Sequence, residues 1–394
     1  MLHQKSEIAV FSFAYAPFEG GAEVAVREIM ARLSNVNFTV FTHRFKSSDA
    51  GIDERENITI MRLGKGSVRA HYYGIIIKKI MYIWRAWQAA EHLHERKRFK
   101  MIWAVMASYG GIAALIFKMR HPKIPLLLTI QEGDSELHLR IGKFGLVGLM
   151  GTILMRRADH IQVISAYLQH LVRSRGARCP IDVVPNGVDV PLFETIYTDQ
   201  EMRAVRQEVG VTDEYVVITT SRLVHKNGVD ILIRAIAILK EKNVNVRCII
   251  LGSGPEERSL RTLAKKLQVE KNIVFLGHIP YRDLPLYMKI ADVFVRPSRS
   301  EGLGNSFLEA MAAGIPVVGT PVGGITDFLK DRVTGLVAEH GTPDEVAAQA
   351  YELLFNKELR HDVIKNGKQL MRQNYTWEIV SRMMKNIFDQ IINT

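Results

Sequence analysis

Two carboxylates, Glu301 and Glu309, stand eight residues apart around a loop of Gly302, Leu303, Gly304, Asn305 and Ser306. The β-rich run IADVFV precedes the loop and the apolar run FLEAMAA follows it. A strand over 290–295 and a helix beginning near Asn305 would aim loose backbone N–H groups and the positive end of a helix at one point. Such a point suits an anionic or hydroxyl-rich ligand. Glu301 would stand at its mouth and Glu309 about two turns down the helix, each able to accept hydrogen bonds from hydroxyl groups. The same residues also fit an ordinary strand-to-helix turn with one surface acid and one helix acid. The choice between the two rests on the other strand ends.

The segment SRLVHKNG directly follows another β-rich run and carries Arg222 and, four residues on, Lys226. An Arg fork and a Lys point charge can together neutralise a diphosphate, with solvated surface cations as the alternative. Gly252 in GSGP and His278 in GHIP follow two further runs and could frame a base or a ribose; a lone histidine at such a place more often serves the structure. After the first β-rich run, PFEGGAE puts Gly20 and Gly21 ahead of a helical pattern, where a missing side chain lets backbone approach a ligand. Its spacing is not the three-glycine dinucleotide fingerprint. The chain has no Asp-x-Asp sequence and no His/Cys/Asp group at metal spacing. No metal is therefore expected, and charge on a diphosphate would fall to Arg222, Lys226 and backbone dipoles. The lack of G-x-S-x-G and P-loop sequences argues against α/β-hydrolase and NTPase chemistry.

The elements that must position these loops follow one rhythm. EIAVFSF, NFTVFTH, ITIMRL, MIWAVM, PLLLTI, HIQVIS and IDVVPN alternate with helical patterns in the first half. YVVITTS, RCIILGSG, IVFLGH, DVFVRPS and PVVGTP do so in the second. Continuous apolar strands separated by helices predict parallel sheets covered on both faces, here two doubly wound α/β domains. The length of 394 residues suits two such domains. The break is expected at the turn-rich VVPNGVD, giving 1–187, 188–375 and a terminal helix over 376–394. Ligands of open parallel sheets bind at the carboxyl ends of strands, so two facing domains would share a cleft. Two cysteines make neither a disulfide framework nor a zinc cluster and fit a reducing cytoplasm. The N-terminal apolar run reads as a buried strand rather than a signal peptide, and no run is long enough to span a bilayer.

These pieces, in this order, resemble the retaining nucleotide-sugar glycosyltransferases of family 4, with the GT-B fold. The resemblance is carried by SRLVHKNGVD, ILGSGPE, FLGHIP and SEGLGNSFLEAMAAGIPVVGTPVGG, with support from the first-half GG loop and VVPNGVD. It implies that Glu309 accepts hydrogen bonds from the donor's ribose hydroxyls. Glu301 and the backbone of Gly302, Leu303, Gly304 and Asn305 would hold the transferred sugar. Arg222 and Lys226 would grip the diphosphate, with Gly21 close to the phosphates. The implied reaction moves a hexose from a UDP- or GDP-sugar to an acceptor hydroxyl with retained configuration, and the departing phosphate oxygen takes the acceptor's proton. No cofactor is implied. The last helix commonly crosses back to the first domain in this fold.

Two departures stand out. Many members carry Lys then Gly where this chain has Asn227 and Gly228, the lysine falling one place early at Lys226. Many also carry a histidine where this chain has Gln131, which can hydrogen-bond a sugar but cannot act as a base at neutral pH. Glu132 or Asp134 could take an acid–base or acceptor-orienting role there, or Asp134 could cap a helix.

The net charge is +11, and nine basic residues against two acids lie between Lys65 and Lys100. Tyr72, Tyr73, Tyr82, Trp84 and Trp87 interleave with Ile75, Ile76, Ile77 and Ile80 in that segment. The stretch 139–157 is apolar with Arg140, Lys143, Arg156 and Arg157 at its ends. Basic helices with aromatic and aliphatic faces suit an anionic bilayer surface, so a peripheral place on the inner membrane face and a lipid-linked or glycan acceptor are expected. No nucleic-acid module is seen. A nucleotide-sugar epimerase, a phosphorylase on the same fold, or a catalytically idle nucleotide-sugar-binding subunit are the alternatives.

Overall fold

The computed structural model describes residues 5–17, 20–66, 72–131 and 146–393. Glu132, Asp134, Arg140 and Lys143 lie outside them, as do residues 67–71 of the first basic segment. The chain divides into two compact units, one formed by 1–186 with 377–394 and the other by 187–376.

The first unit holds an eight-stranded sheet of β1 (Ser6–Phe11), β2 (Val36–His43), β3 (Ile52–Arg55), β4 (Ile58–Leu63), β5 (Met101–Val105), β6 (Leu126–Ile130), β7 (His160–Val163) and β8 (Ile181–Val183). Its order is β3-β4-β2-β1-β5-β6-β7-β8. Every pairing is parallel except β3 with β4. That antiparallel edge departs from the all-parallel expectation. Its strand, IDER, is largely exposed and too polar to read as one of the buried apolar runs.

The second unit holds β9 (Tyr215–Thr220), β10 (Val246–Leu251), β11 (Ile273–Gly277), β12 (Val293–Arg296), β13 (Val317–Gly319) and β14 (Leu336–Val337), in the order β11-β10-β9-β12-β13-β14. All the pairings are parallel. Two-residue β14 adds an edge strand too short to show in an apolar pattern. In both sheets the chain winds outward from a central strand and then restarts on its other side. The order therefore reverses between β1 and β5 in the first unit, and between β9 and β12 in the second. At such a point adjacent loops diverge, leaving room for a ligand beyond the carboxyl ends of the strands.

The last helix, Trp377–Asn393, belongs to the first unit, as the GT-B fold implies. Trp377, Val380, Met384, Ile387, Phe388 and Ile391 make a stripe of helical period that is buried in the same core as β1, β2 and β5. Phe388 meets the Trp103 ring edge-on at 5.1 Å. Burying each of these large side chains contributes about 1.5–3 kcal/mol, which fixes the helix there whatever its place in the sequence. Within the second unit the entering and leaving segments run side by side, with Val188 N–H donating to the Tyr375 carbonyl at 2.7 Å.

Candidate active site

Four of the loops singled out in the sequence follow β9, β10, β11 and β12, at one edge of the second sheet. The Arg222 loop after β9 and the Glu301 loop after β12 flank the reversal in strand order. Backbone contacts made possible by glycine lock the loops together. A Cβ on Gly228 would lie 1.8 Å from the Pro297 carbonyl oxygen, and one on Gly323 would lie 1.8 Å from that of Glu301. Both residues have positive φ, so any side chain would be strained as well as blocked. Thr320 Oγ1 donates to the Ser298 carbonyl at 2.5 Å, and Gly252 N–H donates to that of Gly277 at 2.6 Å. Arg299 grips Asp230 through two bonds of 2.7 Å. Burial alone would raise the Asp230 pKa, but the Arg299 guanidinium outweighs it and holds the carboxyl below its usual range.

The helix after the glycine loop runs Asn305–Ala313, from the expected start. Gly304 precedes it at φ 99° and provides no side-chain cap, so the first-turn N–H groups are turned toward the strand ends without a competing hydroxyl. Leu303 is buried in the fold, whereas Gly302 N–H bends back to the Glu301 carboxylate at 3.3 Å. Glu309 is the fifth residue of the helix, one turn in rather than two, because the preceding loop accounts for half of the spacing from Glu301. Burial of its carboxyl pushes the Glu309 pKa up from 4.5 to about 8, with the Arg296 guanidinium acting in the opposite sense. That shift favours the protonated carboxyl, which can both donate to and accept from a hydroxyl.

The Glu301 carboxylate is held by Arg296, whose Nη2 donates to its Oε2 at 2.7 Å. The same guanidinium donates from Nη1 to Ser306 Oγ at 2.7 Å and from Nη2 to Asn227 Oδ1 at 2.9 Å. Asn227 is buried, and its Nδ2 donates to the Arg222 carbonyl at 2.6 Å. Both ends of this amide are therefore used inside the protein. Of the cations on this loop, Arg222 is exposed and, among the described residues, its side chain has no hydrogen-bond or ion-pair partner. Lys226 is half-buried. Gly252 is half-buried at the end of β10 and His278 is exposed after β11.

In the first unit Gly21 opens the helix Gly21–Arg32 behind β1, beside the reversal between β1 and β5. Gln131 follows β6, and its Oε1 accepts from Asn186 Nδ2 at 3.0 Å, so its amide braces the end of the unit. The carboxyl edge of this sheet also gathers an aromatic and cationic group absent from the sequence reading. Phe13 and His43 stack at 5.3 Å, Tyr109 lies 5.6 Å from Phe13, and Lys79 Nζ sits 4.8 Å from the Tyr109 ring. These four residues are far apart in sequence and form no local pattern. The parallel order of β2, β1 and β5 brings Phe13, His43 and Tyr109 together, and the helix Tyr72–Lys97 adds Lys79.

Residues 201–370 match the family model described as glycosyl transferases group 1, and residues 19–191 match that described as glycosyltransferase family 4. The chain belongs to glycosyltransferase family 4. A GDP-mannose-dependent monoacylated alpha-(1-6)-phosphatidylinositol monomannoside mannosyltransferase of Corynebacterium glutamicum is 34% identical over 238 residues, 58% of this chain and 61% of that one. The chain thus spans about six tenths of that curated relative's length. An alpha-monoglucosyldiacylglycerol synthase of Streptococcus pneumoniae is 24% identical, over 83% of this chain and 74% of that one. Among solved structures, sucrose-phosphate synthase of Thermosynechococcus elongatus superposes with a TM-score of 0.82 at 19% identity, over 99% of this chain and 100% of that one. This family 4 chain has the GT-B fold: two doubly wound units with the terminal helix returned to the first.

Proposed function

We propose that this chain transfers a hexose from a UDP- or GDP-sugar to a hydroxyl of a lipid-linked or glycan acceptor, with retained anomeric configuration and without a metal, at the inner face of the membrane. The observation that carries the reading is the placement of the Arg222 loop and the Glu301 loop on either side of the β9–β12 reversal. Arg222 and Lys226 neutralise the diphosphate, aided by the N-terminus of the helix Asn305–Ala313. Glu301, with the backbone of Gly302, Gly304 and Asn305, holds the hexose hydroxyls, and Glu309 takes the ribose. Gly252 and His278 frame the base. As the glycosidic bond to the diphosphate breaks, these cations and dipoles stabilise the leaving group. A phosphate oxygen takes the proton of the acceptor hydroxyl, which bonds to the same face of the sugar.

The two relatives are named for a phosphatidylinositol monomannoside and a monoglucosyldiacylglycerol, which favours a membrane lipid here as well. In the helix Tyr72–Lys97, Ile77, Ile80, Met81 and Trp84 recur at helical spacing and are 58%, 60%, 41% and 56% exposed. Lys78 and Arg85 lie between and beside them, the composition of a helix resting on an anionic bilayer. No helix among the described residues is long and apolar enough to cross a membrane.

A panel of UDP- and GDP-sugars, with GDP-mannose first, incubated with phosphatidylinositol-containing vesicles tests the reading through nucleotide release and labelled glycolipid. Glu301→Gln should cut transfer far more than nucleotide binding. Epimerised nucleotide sugar formed without acceptor would replace the transferase with an isomerase, and binding without turnover would leave a binding subunit. Ile80→Glu with Trp84→Glu should abolish sedimentation with phosphatidylglycerol vesicles, and unchanged sedimentation would remove the membrane face.

A further inference from the structure

Arg296 ends β12 with its side chain only 11% exposed, and three elements share its guanidinium. Glu301 lies on the loop beyond β12, Ser306 in the first turn of the helix Asn305–Ala313, and Asn227 on the loop beyond β9. Asn227 passes the connection on by donating to the Arg222 carbonyl. An amide is suited to this place, since it accepts from the guanidinium and donates to the carbonyl at once. A carboxylate there could only accept, and an ammonium would set a second cation against Arg296.

We infer that Arg296 is a positioning residue that couples the two halves of donor recognition. It orients Glu301 for a sugar hydroxyl and, through Asn227, ties that carboxylate to the loop carrying Arg222 and Lys226. Diphosphate recognition and sugar recognition then strengthen one another across the reversal in strand order. The inference deepens the proposed transferase reading and rests on it. The structure joins position 227 to a cation reaching in from the neighbouring strand.

The test is a mutant cycle read by calorimetric binding of GDP and GDP-mannose, or of UDP and UDP-glucose, whichever pair the wild-type protein binds. Glu301→Gln should weaken the nucleotide sugar about tenfold, the scale of one charge-assisted hydrogen bond, and leave the bare diphosphate within twofold. Arg296→Met should weaken both ligands, and adding Glu301→Gln to it should cost the nucleotide sugar almost nothing more. Asn227→Leu should weaken the diphosphate although the substituted side chain is buried. Arg296→Lys, which keeps a charge without the fork, should recover part of the sugar-dependent affinity and serves as the working variant where Arg296→Met does not fold. Additive losses for the Arg296 and Glu301 changes, or an Arg296 variant that weakens neither ligand, overturn the coupling. A wild-type protein that binds neither pair overturns the transferase reading and the coupling with it.

Discussion

Glu309 offers the sharpest test of how the site is built, because its predicted behaviour has a sign and a pH window. Burial raises its pKa from 4.5 to about 8 in the folded protein, whereas an unfolded chain returns it to the ordinary value. Between about pH 4.5 and 8 the folded state therefore holds a proton that the unfolded state has lost. Stability falls as pH rises through this window and levels off above it. At about 1.4 kcal/mol per pH unit, the whole rise is worth on the order of 5 kcal/mol, the larger part of it spent before pH 7. Glu309→Gln substitutes a neutral group of the same shape and removes the dependence. The substitution should leave stability nearly unchanged at pH 5 and increase it by several kcal/mol at pH 9. With roughly 2–4 °C per kcal/mol for a unit of this size, the melting temperature at pH 9 should rise by about 10 °C. Urea denaturation of both proteins from pH 5 to 9 reads the difference directly, and other titrating groups cancel in it. A stability difference that stays flat across the range would show that the carboxyl is not held neutral by burial, and would refute the argument.

Three further outcomes follow from the same geometry. Gly323→Ala and Gly228→Ala each drive a methyl into a backbone carbonyl at a left-handed position, so each should cost more than the roughly 1–2 kcal/mol of the strained φ alone. Differential scanning fluorimetry should show both melting earlier, and an unshifted Gly323→Ala would mean that the two loops are not locked. Arg222→Ala removes an exposed side chain and should leave the melting temperature unchanged while raising the Kd for a nucleoside diphosphate roughly ten- to a hundredfold. Calorimetry with GDP and UDP decides it, and unaltered affinity for both would remove Arg222 from the site. Phe388→Ala leaves a cavity against Trp103 and should destabilise the first unit by about 3–5 kcal/mol, as measured by chemical denaturation. A loss under 1 kcal/mol would mean that the terminal helix is only loosely docked on that core.

The parts of this protein that the sequence revealed are those whose signal is local. Apolar runs such as YVVITT and LLLTI announce buried parallel strands because both faces must be covered, and GLGNSFLEAMAAG carries its helix start and its αL stop at Gly314 within thirteen letters. What escaped was either polar, as in β3, or too short, as in β14. The harder loss was neighbourhood. Nothing along the chain says that β12 lies against β9, yet that single adjacency brings Arg296 within 2.9 Å of an amide 69 residues earlier. It also changes what a letter means: read alone, Asn227 is a lysine missing from a phosphate loop, whereas in the fold it is a buried amide with both ends committed. Gly228 likewise reads as a turn residue, although its carbonyl neighbour from Pro297 is what excludes every side chain. A departure from a family pattern is therefore better judged by the partner across the sheet than by the residue itself. Here that partner is a guanidinium, which makes Asn227 part of a charge network and gives the loop a reason to refuse a lysine.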